Sequence, residues 1–217
     1  MSPRDDTSAT PPMRSAPPPT RSSLLLASLL ALVASARADL VPEGRFESGL
    51  NAQGVPKGWV IDPPGWKNSP HLSFNFLSEA RDSTEGAGEN HFVRLGNTAV
   101  PDEESVFRLA LVKTLPSPAP SRLTLGWRVR AAIEATSRVN GWSSVQLTIR
   151  FLDDKGQQLS EQAELFRLVR STQGRWIQRE ITVAVPAGAA EIELLPGLYL
   201  VRGSVDFDDI TVSAATN

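Results

Sequence analysis

The chain of 217 residues contains no cysteine, few aromatic side chains and only two histidines. Without cysteine it can form neither a disulfide nor a thiolate metal site. Aromatic residues make up 6% of the chain, and tyrosine occurs once against five tryptophans. His71 and His91 have no neighbours at metal-ligand spacing, so we expect both to be ordinary surface or loop residues. The composition therefore excludes disulfide-rich scaffolds and metal centres built on cysteine.

Long apolar runs are scarce, and none occurs beyond residue 38. Two arginines precede an apolar stretch from Leu24 to Ala34, and Ala36-Arg37-Ala38 places small residues where a signal peptidase cuts. The stretch is shorter than the roughly 20 apolar residues that a membrane-spanning helix needs. We predict an N-terminal extension and signal peptide over residues 1–38, and a mature domain over residues 39–217 that is secreted or periplasmic.

Charge of neither sign dominates. Without the four arginines and two aspartates of residues 1–38, the chain keeps 18 basic and 22 acidic side chains. Nucleic acids and anionic membrane surfaces require a concentrated positive field. We therefore expect no nucleic-acid partner and no membrane partner, and a domain large enough to bury its own core.

Two segments alternate between apolar and polar residues, and this period of two decides the fold class. From Leu123 to Ile133 every odd position is apolar, and the pattern repeats from Val145 to Phe151. Alternation over this length is typical of strands with one buried face. Further strand patterns continue to Val212, and no stretch after residue 38 shows a helical stripe over three turns. The sequence predicts an all-β chain, a single-domain β-sandwich or jelly roll.

Proline and glycine divide the strand patterns. The run Asp153-Asp154-Lys155-Gly156 predicts a hairpin turn in which Gly156 adopts positive φ. Pro196-Gly197 predicts a second turn, and Val41–Phe46 is compatible with a short additional strand.

Several short patterns, in this order, resemble the galactose-binding-domain-like carbohydrate-binding modules, the jelly-roll type found beside cellulases and xylanases. Phe46-Glu47 resembles their opening pair, and Phe151–Gly156 resembles their "F-x-D-x-x-G". The stretch from Trp176 to Ala189 is similar to their "W-x(n)-V-P-A-G-A", and Val205–Val212 to their closing "V-x-F-D-D-I-x-V". The resemblance implies a jelly-roll fold and the non-catalytic binding of a polysaccharide or oligosaccharide.

The same resemblance implies a structural calcium ion where the first and last strands meet. The matching acidic positions are Glu47 and either Asp208 or Asp209, which would supply part of the six to eight oxygens that calcium takes. The alternative is that the two aspartates merely end an edge strand.

A sugar site combines aromatic rings, which stack on the apolar faces of the sugar, with polar side chains that contact its hydroxyl groups. The polar phase of the two alternating strands carries Arg128, Arg130, Gln146 and Arg150, and Trp142 falls in the same phase. We predict that these five residues form a sugar-binding face. The alternative for them is a solvated sheet face.

Trp66 is a second candidate sugar contact, because core packing explains a loop tryptophan poorly. Its loop reads Pro63-Pro64-Gly65-Trp66-Lys67-Asn68. Trp59, Trp127 and Trp176 are assigned to the core.

Catalysis has little support in the sequence. The pair Asp153-Asp154 is explained by its turn, and we expect Asp208 and Asp209 to point to opposite sides of a strand. No G-x-S-x-G nucleophile motif occurs. We therefore predict no enzyme activity. Two alternatives stay open: a structural or adhesion β-sandwich that binds protein partners, marked by a flat apolar patch, and a small hydrolase, marked by a close carboxylate pair in a deep pocket.

Overall fold

A computed structural model describes residues 39–81, 88–103, 108–117, 121–162 and 167–215. The predicted signal peptide, residues 1–38, lies outside the described residues. Within the described ranges, no helix has the length and apolar character needed to cross a membrane.

These ranges fold into eleven β-strands and two short 3-10 helices, Pro42–Arg45 and Trp66–Asn68. The strands, in chain order, are β1 (Val60–Asp62), β2 (Leu72–Ala80), β3 (Glu89–Asn97), β4 (Arg108–Pro116), β5 (Arg122–Thr136), β6 (Ser144–Leu152), β7 (Gln158–Gln162), β8 (Arg167–Leu168), β9 (Ile177–Ala184), β10 (Glu191–Tyr199) and β11 (Val201–Ala214).

The strands form two antiparallel sheets that share one core. The five-stranded sheet has the order β2-β3-β11-β5-β9. The second sheet has the order β1-β4-β10-β6-β7, and β8 pairs with β6 beside β7. Although β5 and β6 follow each other in the chain, they lie in different sheets. The predicted all-β sandwich is confirmed.

The core lies between the sheets and follows the predicted phase of the alternating strands. Leu125, Trp127 and Val129 of β5 and Leu147 and Ile149 of β6 are each at most 1% exposed. Burying a side chain of this size contributes roughly 1.5–3 kcal/mol relative to leaving it in water. The apolar phase of both strands therefore holds the sheets together, and their polar phase faces away from the core.

The predicted hairpin turn is confirmed between β6 and β7. Gly156 has φ 74°, and its N–H donates to the Asp153 carbonyl oxygen at 3.1 Å. One carboxylate oxygen of Asp153 accepts the backbone N–H groups of Lys155 and Gln157, each at 2.8 Å.

Two local predictions are wrong. Residues 42–45 form a 3-10 helix rather than a strand, because Pro42 at its start lacks the N–H that a sheet requires. Pro196 and Gly197 lie inside β10 rather than in a turn. Pairing of β10 with β4 stops at Leu194 and resumes at Gly197, where the strands come so close that a Cβ would lie 2.6 Å from the Ala110 Cβ.

A β-bulge near the end of β11 sets the direction of its acidic side chains. Pairing with β5 shifts by one residue between Asp208 and Thr211, and Asp209 has φ 48°. Phe207 before the bulge and Ile210 within it are both fully buried in the core. The extra residue therefore leaves both aspartates on the outer side of the sheet, which corrects the expectation that they point to opposite sides.

Candidate functional site

The structure divides the predicted sugar-binding face between two surfaces. Arg128 and Arg130 lie on the outer face of the five-stranded sheet, whereas Gln146 and Arg150 lie on the outer face of the other sheet. The outer faces of two packed sheets point in opposite directions. The prediction that these four arginine and glutamine residues share one face is therefore wrong, because β5 and β6 belong to different sheets.

On the outer face of β6, polar side chains satisfy one another. Gln146 is 4% exposed, accepts a hydrogen bond from the Ser144 hydroxyl at 2.6 Å and donates one to the Thr148 hydroxyl at 3.0 Å. Arg150 lies 3.7 Å from Glu193 of β10. Trp142, in the turn before β6, is 37% exposed. Of the residues predicted on this side, Trp142 is the one that solvent reaches most easily.

On the outer face of the five-stranded sheet, two arginines stack on a tryptophan. The guanidinium carbons of Arg130 and Arg128 lie 4.4 and 5.1 Å from the ring centroid of Trp176. Phe92 meets the same ring edge-on at 5.5 Å, and the indole N–H donates to Glu79 at 2.5 Å. Trp176 is half-buried on this outer face, so its assignment to the core is wrong. Trp59 and Trp127 are buried in the core, as predicted.

A buried carboxylate organises this cluster. Asp206 is 2% exposed and receives Arg94 through two hydrogen bonds, of 2.6 and 2.8 Å. Arg130 donates to the same carboxylate at 2.7 Å and to Glu79 at 3.0 Å. The hydrogen bond to Asp206 raises the pKa of the Arg94 guanidinium, although burial opposes the shift. The positive charges of this face are thus matched by carboxylates, which is typical of a structural network.

The Trp66 loop forms a cleft at β1. The cleft has a volume of about 500 Å³. Trp66 packs edge-on against Phe74, with the ring centroids 6.0 Å apart, and Lys67 lies 5.6 Å from the Trp66 ring. The Lys67 ammonium group also donates to the Gln53 carbonyl oxygen at 3.0 Å. These contacts hold the loop Pro63–Asn68 against the facing loop that contains Gln53.

Both apolar and amide side chains line the walls of this cleft. The walls contain Asn51, Gln53, Val55, Trp59, Val60, Ile61, Pro64, Gly65, Trp66, Lys67 and Asn68. Val60 is 61% exposed, and Gln53 and Asn68 are exposed as well. A half-buried indole beside exposed amide groups offers both contacts that a sugar ring uses, an aromatic surface and paired donors and acceptors.

Among known proteins, this chain is similar to solved structures in fold. No protein-family profile matches the chain, and no curated protein sequence matches it either. Among solved structures, the xylan-binding domain CBM22-1 of Paenibacillus barcinonensis Xyn10C is similar at a TM-score of 0.51 and 10% identity, over 85% of this chain and 99% of that domain. The chain therefore shares the β-sandwich fold of that domain.

Two enzymes contain the same fold as a part. Tailspike protein 4 of bacteriophage CBA120 matches at a TM-score of 0.54 and 14% identity, and the arabinofuranosidase MgGH51 matches at 0.51 and 11%. Each match covers 82% of this chain but only 21% and 26% of the respective enzyme. At these identities the similarity establishes the β-sandwich fold. The function has to be argued from the residues of the site.

The predicted calcium ligands lie near one another but are engaged by protein donors. One Glu47 oxygen accepts from Arg81 at 2.9 Å and from the backbone N–H of His91 at 3.2 Å, and the other lies 2.8 Å from His91 Nδ1. Asp208 accepts from the Asn90 amide and from the Asp209 backbone N–H, each at 2.7 Å. Asp209 lies 3.3 Å from Arg128.

These contacts do not fit a calcium site. Calcium takes six to eight oxygens, whereas Glu47, Asp208 and Asp209 each face a nitrogen donor. Nowhere in the described ranges do three or more Asp, Glu or His side chains form a group that could hold a metal ion. The sequence-based prediction of calcium at these residues is tested by the melting experiment given below.

Asp208 is fully buried, and loss of hydration raises the pKa of its carboxyl to about 6, although the Asn90 hydrogen bond works in the opposite direction. The hydrogen bonds of Glu47 have the opposite effect, since those from His91 and Arg81 outweigh its burial and lower its pKa. The pKa of the Asp208 carboxyl is therefore about 6, whereas Glu47 is held as an anion.

Asp208→Asn should remove a pH-dependent cost to folding. Because the pKa of Asp208 is higher in the folded protein than in the unfolded chain, protonation favours folding, and its ionisation destabilises the protein as pH rises from about 4 to about 7. The asparagine variant should gain stability relative to wild type over this range, on the order of 2 kcal/mol. Urea unfolding of both proteins at several pH values measures the difference, and parallel stability curves would contradict it.

Proposed function

We propose that the protein is a secreted, non-catalytic carbohydrate-binding module and that the cleft at Trp66 is its sugar site. The observation that carries the proposal is the cleft of about 500 Å³, in which the half-buried Trp66 stands beside exposed amide side chains. The fold supports it, because the chain matches an isolated xylan-binding domain over 99% of the length of that domain. The leader pattern of residues 1–38 supports secretion.

The composition of the cleft supports binding without chemistry. None of the described residues that line it is an aspartate or a glutamate. Most glycoside hydrolases act through two carboxylates that flank the scissile bond, and this cleft supplies no such pair. Lys67 is the charged residue in the described walls, and it is positioned by Gln53. The cleft can therefore hold a sugar by stacking and hydrogen bonds while leaving its linkage intact.

The cleft is a stronger candidate than the face predicted around Trp142. Of the polar partners expected there, Arg128 and Arg130 lie on the other sheet, and Gln146 is buried and hydrogen-bonded to its strand neighbours. Trp142 itself is exposed, and residue type alone supports it as a sugar contact. Trp66, in contrast, has amide side chains around it in the same concave surface.

Affinity electrophoresis on gels that contain xylan, cellulose derivatives or galactan tests the function. The proposal expects the purified protein to be retarded by at least one of these polysaccharides and to release no sugar from it. Migration unaffected by every polysaccharide, or release of reducing sugar, would contradict the proposal.

A further inference from the structure

The two ends of the domain meet at β3. Leu40 donates its backbone N–H to the Val212 carbonyl oxygen of β11 at 2.8 Å. The Asp39 carboxylate accepts the backbone N–H groups of Val41 and Val212 at 3.0 and 3.1 Å. Adjacent residues of β3 then reach both ends, since Asn90 contacts Asp208 near the C-terminus and His91 contacts Glu47 near the N-terminus.

Arg81 completes this junction from the end of β2. Its guanidinium Nη2 lies 2.9 Å from Glu47, while its Nε donates to the Glu89 carbonyl oxygen at 3.0 Å. The Arg81 backbone N–H also donates to the Gly88 carbonyl oxygen at 3.0 Å. Arg81 is therefore fixed by the two strands that it joins, with its positive charge against the carboxylate of Glu47.

The space beside these carboxylates is lined with positive charge as well. A polar pocket of about 350 Å³ opens there, and its walls include Arg45 and Arg81 together with Glu47 and Asp209. A divalent cation in this pocket would meet two guanidinium groups as well as the two carboxylates, and the guanidinium charges would oppose its binding. His91, stacked on Phe76 at 5.3 Å, closes the other side of Glu47.

We propose that the Arg81 guanidinium takes the place of a calcium ion in this protein, so that its chain ends are joined by a metal-independent clamp of Arg81, Glu47, His91, Asn90 and Asp208. The guanidinium supplies the positive charge that Glu47 requires, and the Asn90 amide supplies the donor that Asp208 requires. The clamp concerns the stability of the fold, so it stands apart from the sugar site at Trp66.

Thermal melting in millimolar calcium and in excess EDTA tests the proposal on the wild-type protein. A ligand that binds only the folded state would raise the melting temperature in proportion to RT ln(1 + [L]/Kd). The proposal expects equal melting temperatures in both buffers and no calcium by elemental analysis of the purified protein. A higher melting temperature in calcium, or bound calcium at one equivalent, would overturn it.

Substitutions in the clamp provide a second test of the proposal. Arg81→Gln should lower the melting temperature by about 1–3 °C, because the Arg81–Glu47 pair is partly exposed. The matched control Arg170→Gln removes an exposed arginine elsewhere and should leave the melting temperature unchanged. Arg81→Gln and Glu47→Gln combined should cost less than the sum of the single changes, since each removes the same contact. Strict additivity, or equal melting of the Arg81 and Arg170 variants, would overturn the role of Arg81.

Discussion

Replacement of Asp206 by alanine is expected to lower the free energy of unfolding by about 3 kcal/mol. The carboxylate is 2% exposed and holds Arg94 and Arg130 through three hydrogen bonds of 2.6 to 2.8 Å. Without it, the Arg130 guanidinium, which is 19% exposed, keeps only Glu79 as a counter-charge among its described contacts. Removing one partner of a buried ion pair leaves an uncompensated charge, and this cost is much larger than that of an exposed pair.

Chemical denaturation measures this effect against Asp154→Ala. Asp154 is an exposed aspartate in the turn between β6 and β7, and its removal should change the free energy of unfolding by less than about 0.5 kcal/mol. If the two alanine variants are equally stable, the network on the five-stranded sheet contributes nothing measurable, and its assignment as structural is wrong.

Gly44→Ala should destabilise the protein by about 3 kcal/mol or more, because the new methyl group has no space. Gly44 lies in the first 3-10 helix and is buried against β11. A Cβ at this position would lie 1.8 Å from the carbonyl oxygen of Ile210 and 2.8 Å from its carbonyl carbon. Both are backbone atoms of a central strand, so relief requires the helix and the strand to separate.

The same substitution at Gly141 provides the control. A Cβ there meets no atom within 4 Å, and Gly→Ala at a compatible position is neutral or stabilises by up to about 1 kcal/mol through the unfolded chain. A Gly44→Ala variant that unfolds at the same denaturant concentration as the Gly141→Ala variant would show that the helix does not pack on β11 as described.

The fold could be predicted from the sequence because its signals are local. Alternation in β5 and β6 depends only on which side chains face the core, and both strands have the predicted phase. The turn at Asp153–Gly156 follows from a side chain that bonds its own backbone. One exception is Pro196-Gly197, where a central strand tolerates proline because its pairing with β4 is interrupted there.

The candidate site could be predicted only in part, because it depends on long-range arrangement. The alternation tells which side of a strand faces the core, but it does not tell to which sheet the strand belongs. For this reason the sequence wrongly predicts Arg128 and Gln146 on one face. Position 208 illustrates the same limit, since a one-residue bulge turns Asp208 and Asp209 to one side. No short sequence pattern indicates such a bulge.

The same limit explains which tryptophans can be placed correctly from the sequence. Trp59 and Trp127 follow core patterns and are buried, and Trp66 is predicted as a sugar contact because its loop has no core pattern. The sequence wrongly predicts Trp176, just before β9, in the core, because it does not show that two arginines of β5 stack on the Trp176 ring. Two of the amide side chains that share the cleft with Trp66, Asn51 and Gln53, belong to Asn51-Ala52-Gln53-Gly54, a sequence typical of a turn.

Titration of the Trp66→Ala variant with the polysaccharide that retains the wild-type protein tests the central claim most directly. Loss of one stacking contact costs about 1–3 kcal/mol, so the account predicts affinity lower by about ten- to a hundredfold. Trp142→Ala, the matched tryptophan outside the cleft, should bind within about twofold of wild type, and thermal melting confirms that both variants are folded. Asn68→Ala, which changes an exposed side chain of the same cleft, should weaken binding without affecting the fold. Wild-type affinity in a folded Trp66→Ala variant, together with loss of binding in Trp142→Ala, would contradict the account and move the sugar site to the turn before β6.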